Sequence, residues 1–284
     1  MTAVMEKKIK PALQTSNGLD FKGEGKGSSE LAQEIKSHLA TPDIFISAAP
    51  SVNRKLLMGS ANGNYVSWYM TLAADQLVLA YSPQSRFASS LQAAAKGTLP
   101  WYQVLLKPGF LFGRTDPLLD PKGADTIIMM KLAQAYYHQP NLATKILKSD
   151  ENPKQVFPEE SLLAQLTSGQ LDAIVAYKHE AVEWGVPYIT LPNAINLGDA
   201  ADAAMYKTAS YTAKGKVENG SPIVFTITIP STVKNTAGAQ TFVEYMLTGE
   251  GHHILMNDGF SPIHEAVYGN QSALPAGLKN LLNP

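Results

Sequence analysis

The sequence predicts an α/β fold with largely parallel sheets. Strands and helices alternate along most of the chain, which is typical of that class. The clearest strands are the runs 76–81, 172–177 and 223–229, which are rich in apolar and β-branched residues. No internal repeat or low-complexity linker divides the chain. Two domains, if present, are therefore expected to be joined by crossing strands rather than by a flexible tether.

The remaining elements follow from shorter patterns. Further strands are predicted at 44–46 and 110–113. Apolar residues at helical spacing predict helices around 4–13, 28–39, 127–136, 158–169, 242–247 and 251–256. Ser28 or Ser29 is expected to be the N-cap of the second of these helices, because serine is a favoured N-cap residue.

Composition excludes several classes of function. The 284 residues carry 23 Lys and Arg against 24 Asp and Glu, so no basic excess favours nucleic acid or an anionic membrane. There is no cysteine, which excludes disulfides, thiolate catalysis and thiolate metal sites. The length predicts one large or two modest domains. No apolar run approaches the roughly 18 residues of a membrane span.

Motifs for catalysis are also missing. The sequence contains neither the His-Glu-x-x-His pattern of zinc peptidases nor the Gly-x-Ser-x-Gly turn of serine hydrolases. His252 and His253 are adjacent, and adjacent residues on a helix point about 100° apart, so they are poor joint metal ligands. The sequence therefore predicts no nucleophile and no cofactor.

A glycine-rich loop, Gly23–Gly27, precedes Ser28 and Ser29. It does not match the phosphate-binding loop pattern, because its Gly-Lys pair is followed by Gly27 instead of Ser or Thr. The functional interpretation is that the two serines and the first backbone N–H groups of the next helix hold an anion. The alternative is a tight turn followed by an N-cap.

Two further segments place a carboxylate and a proline at a helix start: Asp120-Pro121 and Pro158-Glu159. Acidic residues interact well with a helix N-terminus, and proline is common there, so a purely structural role is one interpretation. The functional alternative is that two helix N-termini converge on one anion. A carboxylate pair could also serve glycoside hydrolysis, but no spacing supports that.

At these residues the chain resembles a known family, the periplasmic molybdate/tungstate-binding proteins of ABC importers, especially their archaeal-type tungstate branch. The matching stretches are GKGSSELAQEI (25–35), PDIFISA (42–48), GRTDP (113–117), DPKG (120–123), FPEE and the helix after it (157–169), LP (191–192), INLGD (195–199) and PIV (222–224). No single motif is very specific, but the ordered set covers most of the chain.

The resemblance implies a type II periplasmic-binding-protein fold with two α/β lobes and a ligand cleft between them. Lobe one would comprise 1–81 and 189–284, and lobe two 82–188. The chain would cross between lobes near 79–83 and near Tyr188. In such sheets ligands bind at helix N-termini beyond the strand ends.

The resemblance also implies an oxyanion-binding set. Ser28, with Ser29 beside it, would donate from lobe one. Lys122 matches a position whose backbone N–H donates from lobe two, and Glu159 matches another such position. Tyr177 matches a tyrosine whose hydroxyl donates.

In the tungstate branch, the carboxylates that match Asp120 and Glu159 also approach the metal centre of the oxyanion and expand its coordination from tetrahedral towards octahedral. Both carboxylates are present here. A Mo(VI) or W(VI) centre accepts two more oxygens, whereas the sulfur of sulfate does not. Carboxylates otherwise repel a dianion, so the pair should disfavour sulfate and phosphate.

The function implied is capture of molybdate or tungstate outside the cytoplasm and delivery to the permease of an ABC importer. The protein would be a monomer in the periplasm or an equivalent compartment, with no cofactor, no enzymatic activity and no affinity for nucleic acid. Three alternatives remain: the same fold with another anion or small solute, a binding-impaired homologue, and, least favoured, an enzyme with Asp120 and Glu159 as acid and base.

One departure concerns the N-terminus. The family begins with a strand that ends in Ala-Gly-Ser-Leu and supplies an anion-binding serine, and the helix after that strand matches residues 2–8. This chain starts just after that serine. Three explanations are open: a shortened gene reading, an expression boundary, or a divergent protein that has lost tight binding.

Overall fold

The computed structural model describes residues 1–213 and 215–280. The chain forms two compact units. The first comprises Met1–Ala74 and the chain from Val224 onward, and the second comprises Asp75–Ile223. Within the described residues, no helix has the length and apolar character needed to cross a membrane.

The elements are as follows in chain order. The first are α1 (Thr2–Val4), α2 (Lys10–Asn17), α3 (Ser28–Lys36), β1 (Phe45–Ser47), α4 (Pro50–Val52) and β2 (Trp68–Asp75). Next come β3 (Leu77–Tyr81), α5 (Ala88–Ala95), α6 (Trp101–Leu105), β4 (Phe112–Gly113), α7 (Pro121–Tyr136), α8 (Leu142–Leu147), α9 (Glu159–Thr167), β5 (Ala173–Tyr177), α10 (Lys178–Trp184) and β6 (Tyr188–Thr190). The last are α11 (Asn193–Asn196), α12 (Ala203–Tyr206), β7 (Ser210–Ala213), β8 (Lys216–Asn219), β9 (Ile223–Thr228), α13 (Thr236–Thr248), α14 (Glu250–Asn257), β10 (Val267–Gly269) and α15 (Ala276–Lys279).

The first unit is built on a sheet with strand order β1-β9-β2-β10. β1 runs antiparallel to β9, and β10 runs antiparallel to β2. A cluster of buried side chains next to β1 includes Ala32 and Ile35 of α3 together with Phe45 and Leu57. Burial of these apolar groups fixes α3, and with it Ser28, against the end of β1.

The second unit is built on a sheet with strand order β4-β5-β3-β6, and β7 and β8 form a separate hairpin. β3 pairs antiparallel with both β5 and β6, whereas β4 and β5 are parallel. Leu162 and Leu166 of α9 pack on Ile174 and Val78 in the core of this sheet. This packing fixes the start of α9 relative to the C-terminal end of β5.

The structure corrects the prediction of largely parallel sheets. β4 and β5 are parallel, whereas the pairs β1–β9, β2–β10, β3–β5, β3–β6 and β7–β8 are antiparallel. The prediction assumed that consecutive strands share one sheet through a crossover helix. Instead β2 and β3 are separated by Gln76 alone and belong to different sheets.

The unit boundaries also differ from those that the resemblance implies. The strands near the expected crossings, β3 and β6, both pair within the second sheet. The chain passes from one unit to the other between residues 74 and 75 and between residues 223 and 224, instead of at 81/82 and 188/189. The buried strand β2 was not predicted, although the first of these boundaries lies at its last residue, Asp75.

The predicted N-cap of α3 is wrong. The helix begins at Ser28, and Gly27 is the N-cap residue without a side-chain hydrogen bond. The Ser28 hydroxyl instead accepts a hydrogen bond from the backbone N–H of Ala48 at 3.0 Å. The Ser28 oxygen that would accept a capping hydrogen bond is therefore bonded to the residue that follows β1.

Candidate functional site

The N-terminus of α7 supplies the first part of the candidate site. Asp120 is the N-cap, and its Oδ1 accepts a hydrogen bond from the backbone N–H of Lys122 at 2.9 Å. Pro121 follows at the first helical position, where proline costs no hydrogen bond. A Cβ on Gly123 would lie 2.6 Å from the backbone of Asp116, so the residue must be glycine for the helix start to approach that loop.

The second oxygen of Asp120 has a different environment. The side chain is buried, and Oδ2 has no hydrogen-bond partner among the described residues. A buried polar oxygen without a partner is costly, and native proteins rarely keep one without a role for it. Asp120 Oδ2 is therefore a candidate ligand atom.

Lys122 directs its side chain into the interior of the second unit. The residue is fully buried, and its Nζ donates to both carboxylate oxygens of Glu180, at 2.7 and 2.8 Å. The same Nζ lies 3.2 Å from Oε1 of Glu159 and 5.1 Å from the ring centroid of Tyr177. One ammonium group thus links three elements: α9, α10 and the end of β5.

Glu180 is the residue that the sequence interpretation missed. It lies in the first turn of α10, immediately after β5, and its Oε2 accepts the backbone N–H of Tyr177 at 2.8 Å. A glutamate three residues after the last residue of a predicted strand is a familiar helix-start pattern. That pattern could have identified a capping role for Glu180, but it gives no information about Lys122, which is 58 positions away.

Glu159 is the first residue of α9, after Pro158 as N-cap. Its side chain is 30% exposed, whereas that of Glu180 is 4% exposed. The starts of α7 and α9 therefore meet through the Lys122–Glu159 contact. Their partial positive charges favour an anion at this place.

Burial and charge set the protonation of the group. Burial, followed by the negative charge of Glu159, raises the pKa of Asp120 to about 7. Burial raises the pKa of Glu159, but the positive charge of Lys122 and the hydrogen bonds to this carboxylate together outweigh burial and lower that pKa to about 2. Burial also raises the pKa of Glu180, and Lys122 opposes that rise. At neutral pH Glu159 is therefore ionised, and Asp120 is close to its titration midpoint.

Tyr177 completes the group at the end of β5. The residue is buried, and its ring stacks on His179 with centroids 5.9 Å apart. Burial raises the pKa of its hydroxyl well above the usual range, so the hydroxyl keeps its proton. The hydroxyl is therefore a neutral group and not a charged one.

The structure brings Asp120, Lys122, Glu159 and Tyr177 together within the second unit. Ser28 and Ser29 lie in the first unit, at the start of α3. Their participation in the same site stays a prediction. No cluster of three or more His, Cys, Asp or Glu side chains that could hold a metal ion occurs in 1–213 or 215–280.

Comparison with known proteins identifies the class. A family model described as bacterial extracellular solute-binding protein matches residues 1–261, and the chain belongs to this family. Relatives include an uncharacterized solute-binding protein of Petrotoga mobilis, 32% identical over 93% of this chain and 82% of the relative. The putative ABC transporter molybdenum-binding protein of Haloferax volcanii is 34% identical over 90% of this chain and 78% of its own length.

A third relative is the molybdate/tungstate-binding protein WtpA of Pyrococcus abyssi, 30% identical over 82% of this chain and 72% of its own. Among solved structures, the periplasmic molybdate-binding protein of Azotobacter vinelandii matches with a TM-score of 0.57. That match has 15% identity and covers 91% of this chain and 94% of the other. The predicted periplasmic-binding-protein fold class is thereby confirmed.

Proposed function

We propose that this protein captures molybdate or tungstate outside the cytoplasm and delivers it to the permease of an ABC importer. Two relatives carry names that state molybdenum or molybdate/tungstate binding. The structural observation that carries the proposal is the Asp120 carboxylate, whose buried Oδ2 has no hydrogen-bond partner in the described part of the chain. It lies beside Glu159, whose negative charge acts on it.

The two carboxylates give a chemical basis for discrimination. Mo(VI) and W(VI) accept further oxygen donors, so Asp120 and Glu159 would be attractive to the metal centre of a tetraoxo ion. Sulfur in sulfate offers no such sites, and the same carboxylates repel it. The Tyr177 hydroxyl would donate to an oxo group, as would Ser28 and Ser29 from the first unit.

One predicted donor is engaged elsewhere in this structure. The backbone N–H of Lys122 donates to Asp120 Oδ1, so it would reach an oxyanion only after a shift of that side chain. The proposed function requires no chemistry on the ligand. The protein would act as a monomer that is not an enzyme, uses no cofactor and does not bind nucleic acid.

Calorimetric titration tests the proposal. Asp120→Ala and Glu159→Ala should each weaken tungstate and molybdate binding by about tenfold or more. Sulfate binding, if measurable, should change less, because sulfate gains nothing from the carboxylates. Glu160→Ala is the matched control, since Glu160 is the exposed neighbour in the same helix start.

Thermal melting gives an independent readout. A ligand that binds the folded state raises the melting temperature with its concentration. Tungstate should therefore raise the melting temperature of the native protein more than an equal concentration of sulfate does. Equal, negligible changes of tungstate and sulfate affinity in the two alanine variants would contradict the proposal.

A further inference from the structure

The Lys122 ammonium lies between two carboxylates at different depths. Glu180 is almost completely buried, whereas the side chain of Glu159 is 30% exposed. Lys122 itself has no exposed surface. Its positive charge thus lies between a partly exposed carboxylate and one that is almost completely buried.

Glu180 holds the ammonium in that position. Both of its oxygens accept from Nζ, and one of them also accepts from the backbone N–H of Tyr177. These bonds tie the carboxylate to both the end of β5 and the side chain from α7. Charge-assisted bonds of this kind are short and strongly oriented.

The carboxylates of the candidate site would repel an anionic ligand, and this lysine offsets part of that repulsion. Asp120 and Glu159 bring negative charge to the place where the ligand would bind. A tetraoxo dianion adds two more charges, and like charges in a poorly solvated site repel strongly. A fixed cation within hydrogen-bond distance of Glu159 offsets that repulsion.

We propose that Lys122 is a specificity-determining residue, whose buried ammonium allows this acidic site to accept a doubly charged tetraoxo anion in preference to a singly charged one. The inference rests on the proposed function. Lys122 acts here through its charge and not through an exposed contact. The benefit of that charge therefore scales with the charge of the ligand.

Tungstate and perrhenate make a suitable pair of probes, because both are tetrahedral tetraoxo ions of similar size with charges of −2 and −1. In the native protein tungstate should bind more tightly than perrhenate. In Lys122→Met the ratio of tungstate affinity to perrhenate affinity should fall by about tenfold, because the dianion loses twice the electrostatic attraction. A defect in folding or shape alone would weaken both ions alike.

Two further variants keep the test decisive. Lys131→Met removes another lysine of α7, whose Nζ donates to the Ser210 carbonyl at 2.6 Å, and should leave the ratio unchanged. Lys122→Met alone leaves Glu180 buried without its partner, which endangers folding. The double variant Lys122→Met/Glu180→Gln removes the almost fully buried carboxylate together with its lysine and keeps an acceptor for the Tyr177 N–H. Its ratio of tungstate affinity to perrhenate affinity should also fall, but by less than in Lys122→Met.

The outcomes separate the two proposals. If native protein binds neither ion, the proposed function is overturned and this inference with it. If native protein binds tungstate and the folded Lys122 variants keep the native ratio, or lose both ions equally, the inference alone is overturned. A native preference for perrhenate also overturns it, without any variant.

Discussion

Two lysines in this molecule each lie between two glutamates, in opposite environments. Lys26, in the glycine loop before α3, has its Nζ 2.8 Å from Glu24 and 2.6 Å from Glu34, and its side chain is 33% exposed. Lys122, in the second unit, has comparable contacts with Glu180 and Glu159 but no exposed surface. The pairing is chemically the same, so the difference between them is hydration.

Hydration decides what each lysine contributes. An exposed ion pair competes with water and salt, and its net contribution to folding is small. A buried pair has already lost its hydration, so removal of one partner leaves a charge that nothing solvates. The ion pairs of the two lysines therefore look alike, but only Lys122 should be indispensable.

The largest effect is expected from Lys122→Met. The variant leaves the carboxylate of Glu180 buried with only the Tyr177 N–H as a described donor. Breaking a buried ion pair in this way typically destabilises a protein by about 3–5 kcal/mol. Chemical denaturation of the variant and the native protein, followed by circular dichroism, measures this difference.

The double variant Lys122→Met/Glu180→Gln is the control, because it removes both charges together. It should recover a substantial part of the lost stability. If Lys122→Met has the same denaturation midpoint as the native protein, then the buried lysine contributes no more to stability than the exposed one. The distinction between the two lysines would then be wrong.

An intermediate effect is expected from Asp120, measured as a function of pH. Its pKa is raised to about 7 in the folded protein from an ordinary 3.8, mainly by burial. Between these values the folded state binds the proton more tightly than the unfolded state does. The contribution of Asp120 to stability is therefore most favourable below pH 4 and is lost as the pH rises through about 7.

Asp120→Asn should weaken the dependence of stability on pH between about pH 4 and pH 7. Asparagine is an equally good N-cap, so the hydrogen bond to the Lys122 N–H can persist. Denaturation midpoints between pH 4 and pH 8 give the measurement. Asp199→Asn is the control, because Asp199 caps a helical turn at Ala201 but is less buried. An unchanged pH slope in Asp120→Asn would show that the aspartate is not the group that titrates.

Much of this site could be predicted from local patterns. Asp120-Pro121 and Pro158-Glu159 are helix starts, and the family resemblance placed Lys122 and Tyr177 in the same region. The two helix starts depend on a few neighbouring residues, and local sequence carries such information well, whereas Lys122 and Tyr177 were assigned only through the resemblance. The structure then shows that these residues are close in space within one unit.

What local patterns could not give was the long-range partner. Lys122 was predicted as a backbone donor, and its side chain had no assigned role. The ion pair with Glu180 joins a helix start to the end of a distant strand, so no spacing rule reveals it. The strand β2 was missed for a related reason, since it is buried along most of its length and shows no alternation.

The smallest effect is expected from Lys26→Met. Glu24 and Glu34 would remain near the surface, where water can solvate them, so loss of the lysine leaves no stranded charge. The denaturation midpoint should shift slightly at low salt. In 1 M NaCl, where the Debye length is about 3 Å, the shift should disappear because salt already screens the pair.

The defect of Lys122→Met should persist at both salt concentrations, since salt does not enter its surroundings. A Lys26 defect that survives high salt would mean that this lysine too has a structural role independent of hydration, and the distinction between the two lysines would fail.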